Sequence, residues 1–70
     1  MATKLVEHTY GSHIFMRMML DDKSIEEIGV YYDRDGHVSY RTTADSNDEL
    51  TTEEKQKKRA AIITAFNELY

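Results

Sequence analysis

Residues 13–20, His13-Ile14-Phe15-Met16-Arg17-Met18-Met19-Leu20, accept a strand or a helix, and the choice between them decides the fold. Met and Leu are good helix formers, and Ser12 could cap a helix that starts here. Short apolar runs, however, carry no decisive period, and the preceding Gly11-Ser12 suits a two-residue hairpin turn with positive φ at its first position. A strand at 13–20 gives ββββα, a four-stranded antiparallel meander with one C-terminal helix in an α+β domain. A helix there gives βαββα. We read the former and hold βαββα as the alternative.

Upstream, residues 4–10 (Lys4-Leu5-Val6-Glu7-His8-Thr9-Tyr10) supply the partner strand. The turn sets Tyr10 opposite His13. Leu5, Glu7 and Thr9 then share a face with Met18, Met16 and Ile14, and Val6, His8 and Tyr10 share the other with Arg17, Phe15 and His13. Neither face is cleanly apolar. Downstream, Ile28, Val30 and Tyr32 alternate in one segment and Val38, Tyr40 and Thr42 in the next, the period of half-buried strands. A two-residue loop at Asp35-Gly36 would put these two apolar sets on opposite faces. A three-residue loop of Arg34-Asp35-Gly36, with glycine in the left-handed position of a bulge, pairs Tyr32 with Val38 and Val30 with Tyr40.

After an acidic stretch from Ala44 to Leu50, Thr51-Thr52-Glu53-Glu54 offers a capping box, and a helix is expected to run to about Leu69. Ile62, Ile63, Phe66, Leu69 and Tyr70 fall on one side at helical spacing, whereas the first two turns are charged. The C-terminal half of the helix is therefore the half expected to be buried.

Seventy residues without proline or a linker-like stretch read as one domain, 1–70, with a modest core. The chain has no cysteine, which leaves no disulfide and no thiolate. A hydrophobic share of 40% is too high for a disordered chain, and no apolar run is long enough for a membrane helix. Met1-Ala2-Thr3-Lys4 leads into a strand-like segment without a secretory leader, so the expectation is a cytoplasmic protein without membrane contact.

Candidate chemistry is sparse. His8, His13 and His37 have no ligand partners at the spacing of a helical metal motif. Asp33-Arg34-Asp35-Gly36 has the look of a calcium loop, but with Gly36 as the sixth position Tyr31 and Thr42 stand where the first aspartate and the last glutamate belong, and the segment reads as a hairpin turn. Ser12, Ser24, Ser39 and Ser46 do not stand in a nucleophile motif, and no glycine-rich loop precedes a helix. The residues thus point away from an enzyme, a cofactor or a metal.

Charge is more informative. The net charge is -4, with ten acids and five bases in residues 1–50 against three acids and four bases in residues 51–70. In a meander, turn 21–24 and loop 44–50 emerge at the same end of the sheet. Asp21, Asp22, Glu26, Asp45, Asp48, Glu49, Glu53 and Glu54 then form an acidic rim that attracts basic proteins and repels nucleic acid. The leading expectation is a non-catalytic binding or inhibitor protein that engages a basic protein through this rim, as DNA mimics and phage host-takeover proteins do. Such a partner could itself be a nucleic-acid-binding protein. The runner-up is a small nucleic-acid-associated regulator using the basic helix start, with Lys57, Lys58 and Arg59, together with Tyr31, Arg41 or Tyr10 on the sheet. A structural subunit of a larger assembly is the third reading. Phe15 and the methionines at 16, 18 and 19 are read mainly as core, and because one half-buried helix cannot cover both faces of four strands, a homodimer is expected.

Gly36-His37-Val38-Ser39, Arg41, Ala44 and Asn47, then Glu54-Lys55-Gln56, make part of the chain similar to the damage-inducible family of small bacterial and phage proteins that modulate the recombinase RecA. The resemblance covers less than a third of the chain. It implies βαββα and a partner that handles single-stranded DNA. That family binds through an acidic C-terminal helix, whereas this helix carries Lys55, Lys57, Lys58 and Arg59, and residues 12–24 offer no counterpart of its first helix.

Overall fold

The computed structural model describes residues 1–70. Residues 13–19 resolve as strand, and the order is ββββα: β1 (Thr3–Tyr10), β2 (His13–Met19), β3 (Ile25–Tyr32) and β4 (Val38–Thr42), a 3-10 turn (Thr43–Ser46), then α1 (Thr52–Leu69). All three strand pairs are antiparallel, in the sheet order β1-β2-β3-β4. The βαββα order implied by the family resemblance is not found. Strand wins at 13–19 because β2 is hydrogen-bonded on both edges, which lets Ile14, Met16 and Met18 face one side together.

The register of the second hairpin is the expected one, with Tyr32 opposite Val38 and Val30 opposite Tyr40. Gly36 takes φ +82° and closes the loop by donating its amide to the Asp33 carbonyl, while the Asp33 amide donates to the His37 carbonyl. The turn between β2 and β3 repeats this design. The Lys23 amide donates to the Leu20 carbonyl, the Leu20 amide to the Ser24 carbonyl, and Lys23 sits at φ 70° where the other loop has glycine. In the first hairpin Gly11, at φ +60°, makes the two-residue turn that pairs Tyr10 with His13. One detail of that pairing differs from the sequence reading. The register shifts between Lys4 and Val6, so Lys4 rather than Leu5 lies opposite Met18, and Leu5 is the extra residue of a bulge.

The core lies between one sheet face and α1. Ile14, Met16, Met18 and Leu20 meet Ile28, Val30 and Ala44 on the sheet side, and Ile62, Ala65 and Phe66 on the helix side. Thr51 caps α1 as expected, accepting from the Glu54 amide while Glu54 accepts from the Thr51 amide at 3.0 Å. Of the apolar residues assigned to the buried side, Tyr70 is instead 63% exposed, stacked on Phe66 beyond the end of the core. Ala65 takes the inner position: its small side chain carries little periodic signal yet lets the helix approach the sheet. The helix packs on β3, β4 and the 3-10 turn, and every residue of β1 is exposed.

Candidate functional site

The meander does bring turn 21–24 and loop 44–50 to one end, next to the start of α1, but most of the acids gathered there are engaged within the chain. Lys58 projects from the second turn of α1 to Asp22 at 3.1 Å, Glu26 at 3.4 Å and the Ser24 hydroxyl at 3.0 Å. Glu26 also accepts from the Thr43 hydroxyl. Asp45 accepts from the Thr42 amide at 2.9 Å and closes the 3-10 turn, while its other oxygen lies 3.4 Å from Arg59. Arg59 in turn donates to the Tyr40 carbonyl, tying the helix to β4. Glu54 serves the helix cap, Glu53 pairs with Lys57 one turn on, and Asp21 pairs with the Met1 ammonium.

These partners shift the titrations. The Ser24 hydroxyl and amide, with help from Lys58, hold the Asp22 carboxyl down from 3.8 to about 2. Glu54 is held below its ordinary value by the Thr51 amide and hydroxyl. Partial burial pulls the Lys58 ammonium down, but its hydrogen bond to Asp22 and the charges of Glu26 and Asp22 outweigh it, and the net shift is upward.

Asp48 and Glu49 are the rim acids whose carboxylates are left without an intramolecular partner; the Glu49 amide donates to Asn47. Beside them a groove of about 870 Å³ runs between α1, the 3-10 turn and the ends of β1 and β2. Ala2, Leu20, Leu50 and Ala61 give it apolar walls, and five carboxylates (Asp21, Asp22, Glu26, Glu54, Glu68) face two ammonium groups, Lys57 and Lys58. Four of the eight rim residues therefore line one groove. Glu68 joins them from a position far along the sequence.

On the opposite side, the sheet face is bare. Strand register arranges it in rows: Tyr10, His13 and Tyr31; then His8, Phe15, Gly29 and Arg41; then Val6, Arg17 and Glu27. The rings interlock, with Phe15 and Tyr31 edge-to-face at 5.7 Å, Tyr10 and Phe15 at 5.9 Å, and His13 and Tyr31 at 4.9 Å. Gly29 makes the space for them. A Cβ there would stand 3.1 Å from the Tyr31 ring and 3.2 Å from Phe15. Arg17 holds Glu27 at 3.1 Å, and a second groove of about 480 Å³ opens among His8, Phe15, Arg17, Tyr31 and Arg41. Of these residues the sequence singled out Tyr10, Tyr31 and Arg41. Phe15 was missed as a surface group because it alternates with the buried methionines and was read as core with them.

Asp33, Asp35 and His37 bring ligand-type atoms within 4.8 Å of one another at the second hairpin loop. One Asp33 oxygen accepts from the Asp35 and His37 amides and the other lies 3.2 Å from the His37 ring, so this carboxylate shapes the turn. No helix is long and apolar enough to cross a membrane. Comparison with known protein families, curated proteins and solved structures finds no match to the chain.

Proposed function

We propose that the protein is a non-catalytic binding protein that engages a basic protein segment at its acidic end, with Asp48, Glu49, Asp21 and Glu68 as the attracting charges. The observation that carries this reading is the groove: five carboxylates against two ammonium groups, above apolar walls that a Lys or Arg stem could cover. It would act by occupancy, in the manner of small inhibitors that present a DNA-like array of negative charge to a protein that otherwise binds nucleic acid. Asp22, Glu26, Asp45 and Glu54 then have a supporting part: they hold the end together, and the excess charge beside them makes the contact. A homodimer belongs to the same reading, supported by the free outer edge of β1, which offers backbone groups to a second copy.

Affinity capture from a nuclease-treated cytosolic lysate tests it. The native chain is expected to retain a basic protein that the Asp48→Asn/Glu49→Gln variant loses. Retention by the variant equal to that of the native chain, or material that disappears with nuclease, would sink the proposal.

The basic helix start, by contrast, is poorly placed to meet phosphates. Lys57, Lys58 and Arg59 each have a carboxylate within 4.0 Å in the folded chain.

A further inference from the structure

We infer that the bare sheet face is a second binding site, for single-stranded nucleic acid, with bases stacking on Phe15, Tyr10 and Tyr31 and a phosphate meeting Arg41. Local charge points to an anionic occupant. The chain as a whole carries -4, yet the strand positions of this face hold two arginines and one acid, Glu27. Glu27 is already paired with Arg17, whereas Arg41 faces solvent with no carboxylate partner. An anion repelled elsewhere on the molecule is tolerated here.

Ring geometry narrows the class of anion. Tyr10 is 61% exposed at the end of the edge strand, and Phe15 is 38% exposed although β2 is paired on both edges. Every base has a π-face, so a run of aromatic rings beside a cation binds unpaired bases with little regard to sequence. A duplex hides those faces. Gly29 keeps the row from His8 through Phe15 to Arg41 low at its centre, and the Tyr31 ring lies across that gap. The groove there, about 480 Å³, lies within the range of pockets that hold small planar ligands. A second copy packed face to face fits less well, because a two-fold axis would enclose four arginines with two glutamates away from water.

Fluorescence anisotropy with labelled dodecamers of dT and rU and with a matching duplex tests the assignment. Both single strands are expected to bind saturably, and the duplex at least about tenfold more weakly. With one phosphate contact, the slope of log K against log salt should be about -0.7. Arg41→Ala should make that slope shallower by about 0.7. Phe15→Leu, which keeps the apolar bulk but removes the ring, should weaken binding about tenfold. Lys57→Ala should change neither quantity. A preference for rU over a dU dodecamer, which differs only in the 2′-hydroxyl, would identify RNA as the occupant, and the reverse DNA. Arg41→Glu, an exposed substitution expected to leave the unfolding curve in place, should abolish binding and guards against loss of fold in the Phe15 variant.

Three results would overturn the assignment: no saturable binding of either strand at low salt, duplex binding equal to single-strand binding, or sensitivity to Lys57→Ala in place of Arg41→Ala. Sedimentation run alongside would contradict it in a fourth way, if Phe15→Leu dissociates a dimer and neither form binds oligonucleotide. None of these outcomes bears on the acidic end, which shares no residue with this face.

Discussion

At Lys58 the two charge clusters of the sequence meet. The basic run 55–59 and the acids of turn 21–24 are far apart along the chain, yet this one ammonium bridges Asp22, Glu26 and Ser24 and pins the helix to the sheet. Glu26 is mostly buried, so Lys58→Met would strand its carboxylate; we expect a loss of about 1–2 kcal/mol in urea unfolding, below the cost of a fully buried pair because Lys58 keeps some water. The pH dependence follows from Asp22. Its folded pKa lies below 3.8, so its contribution is complete above that value and is lost as pH falls through about 2. Asp22→Asn should therefore flatten the fall in urea midpoint between about pH 4 and pH 2, while Lys58, whose pKa is raised, loses its share only in strong alkali. Lys23 adds a local strain, since it takes the left-handed backbone that Gly36 takes in the sister loop. Lys23→Gly is expected to stabilise the chain by up to about 1 kcal/mol, read as a higher urea midpoint at unchanged slope. These residue roles were only half legible. The acids could be placed at one end from topology alone, but which of them face a lysine depends on how α1 lies across the sheet, and no periodicity encodes that.

Among the elements, β1 and α1 are opposites. α1 carries its start signal in Thr51 and Glu54, and Thr51→Ala should cost about 1 kcal/mol in the same unfolding measurement. β1 is held by β2 alone, with all eight residues exposed and no helix above them. In the monomer its amides should exchange with solvent faster than those of β2 and β3, whose bonds open only with the core; protection of β1 equal to that of the inner strands, growing with protein concentration, is the result expected of the homodimer along this edge. The second hairpin was readable because a single loop length reconciles two alternating runs, and the helix because a cap precedes a charged and then an apolar stretch. The first hairpin was harder. Its turn is correct in the sequence reading, but the bulge at Leu5 leaves no mark, since Leu5 and its neighbours are exposed on both faces and no burial pattern fixes their register.

As a whole, the molecule separates its charge. One end, against the helix, concentrates carboxylates around an apolar-walled groove; the far face of the sheet carries aromatic rings with two arginines. That separation was partly visible in the sequence as an acidic majority with Tyr10, Tyr31 and Arg41 on exposed strand positions. The loss of the helix cations to internal pairs was not. The two surfaces share no residue, so each can be occupied or mutated without the other, and Asp48→Asn/Glu49→Gln should leave stability within about 0.5 kcal/mol of the native chain.

The most direct measurement is backbone amide chemical-shift mapping of the labelled protein, titrated first with a short oligo-arginine peptide and then, separately, with the dT dodecamer. The peptide is expected to move resonances of residues 20–22, 47–50 and 68, and the oligonucleotide those of His8, Phe15, Gly29, Tyr31 and Arg41. Peptide shifts on the open sheet face, or oligonucleotide shifts confined to residues 55–59, would contradict the division of the molecule into an acidic end and an aromatic face.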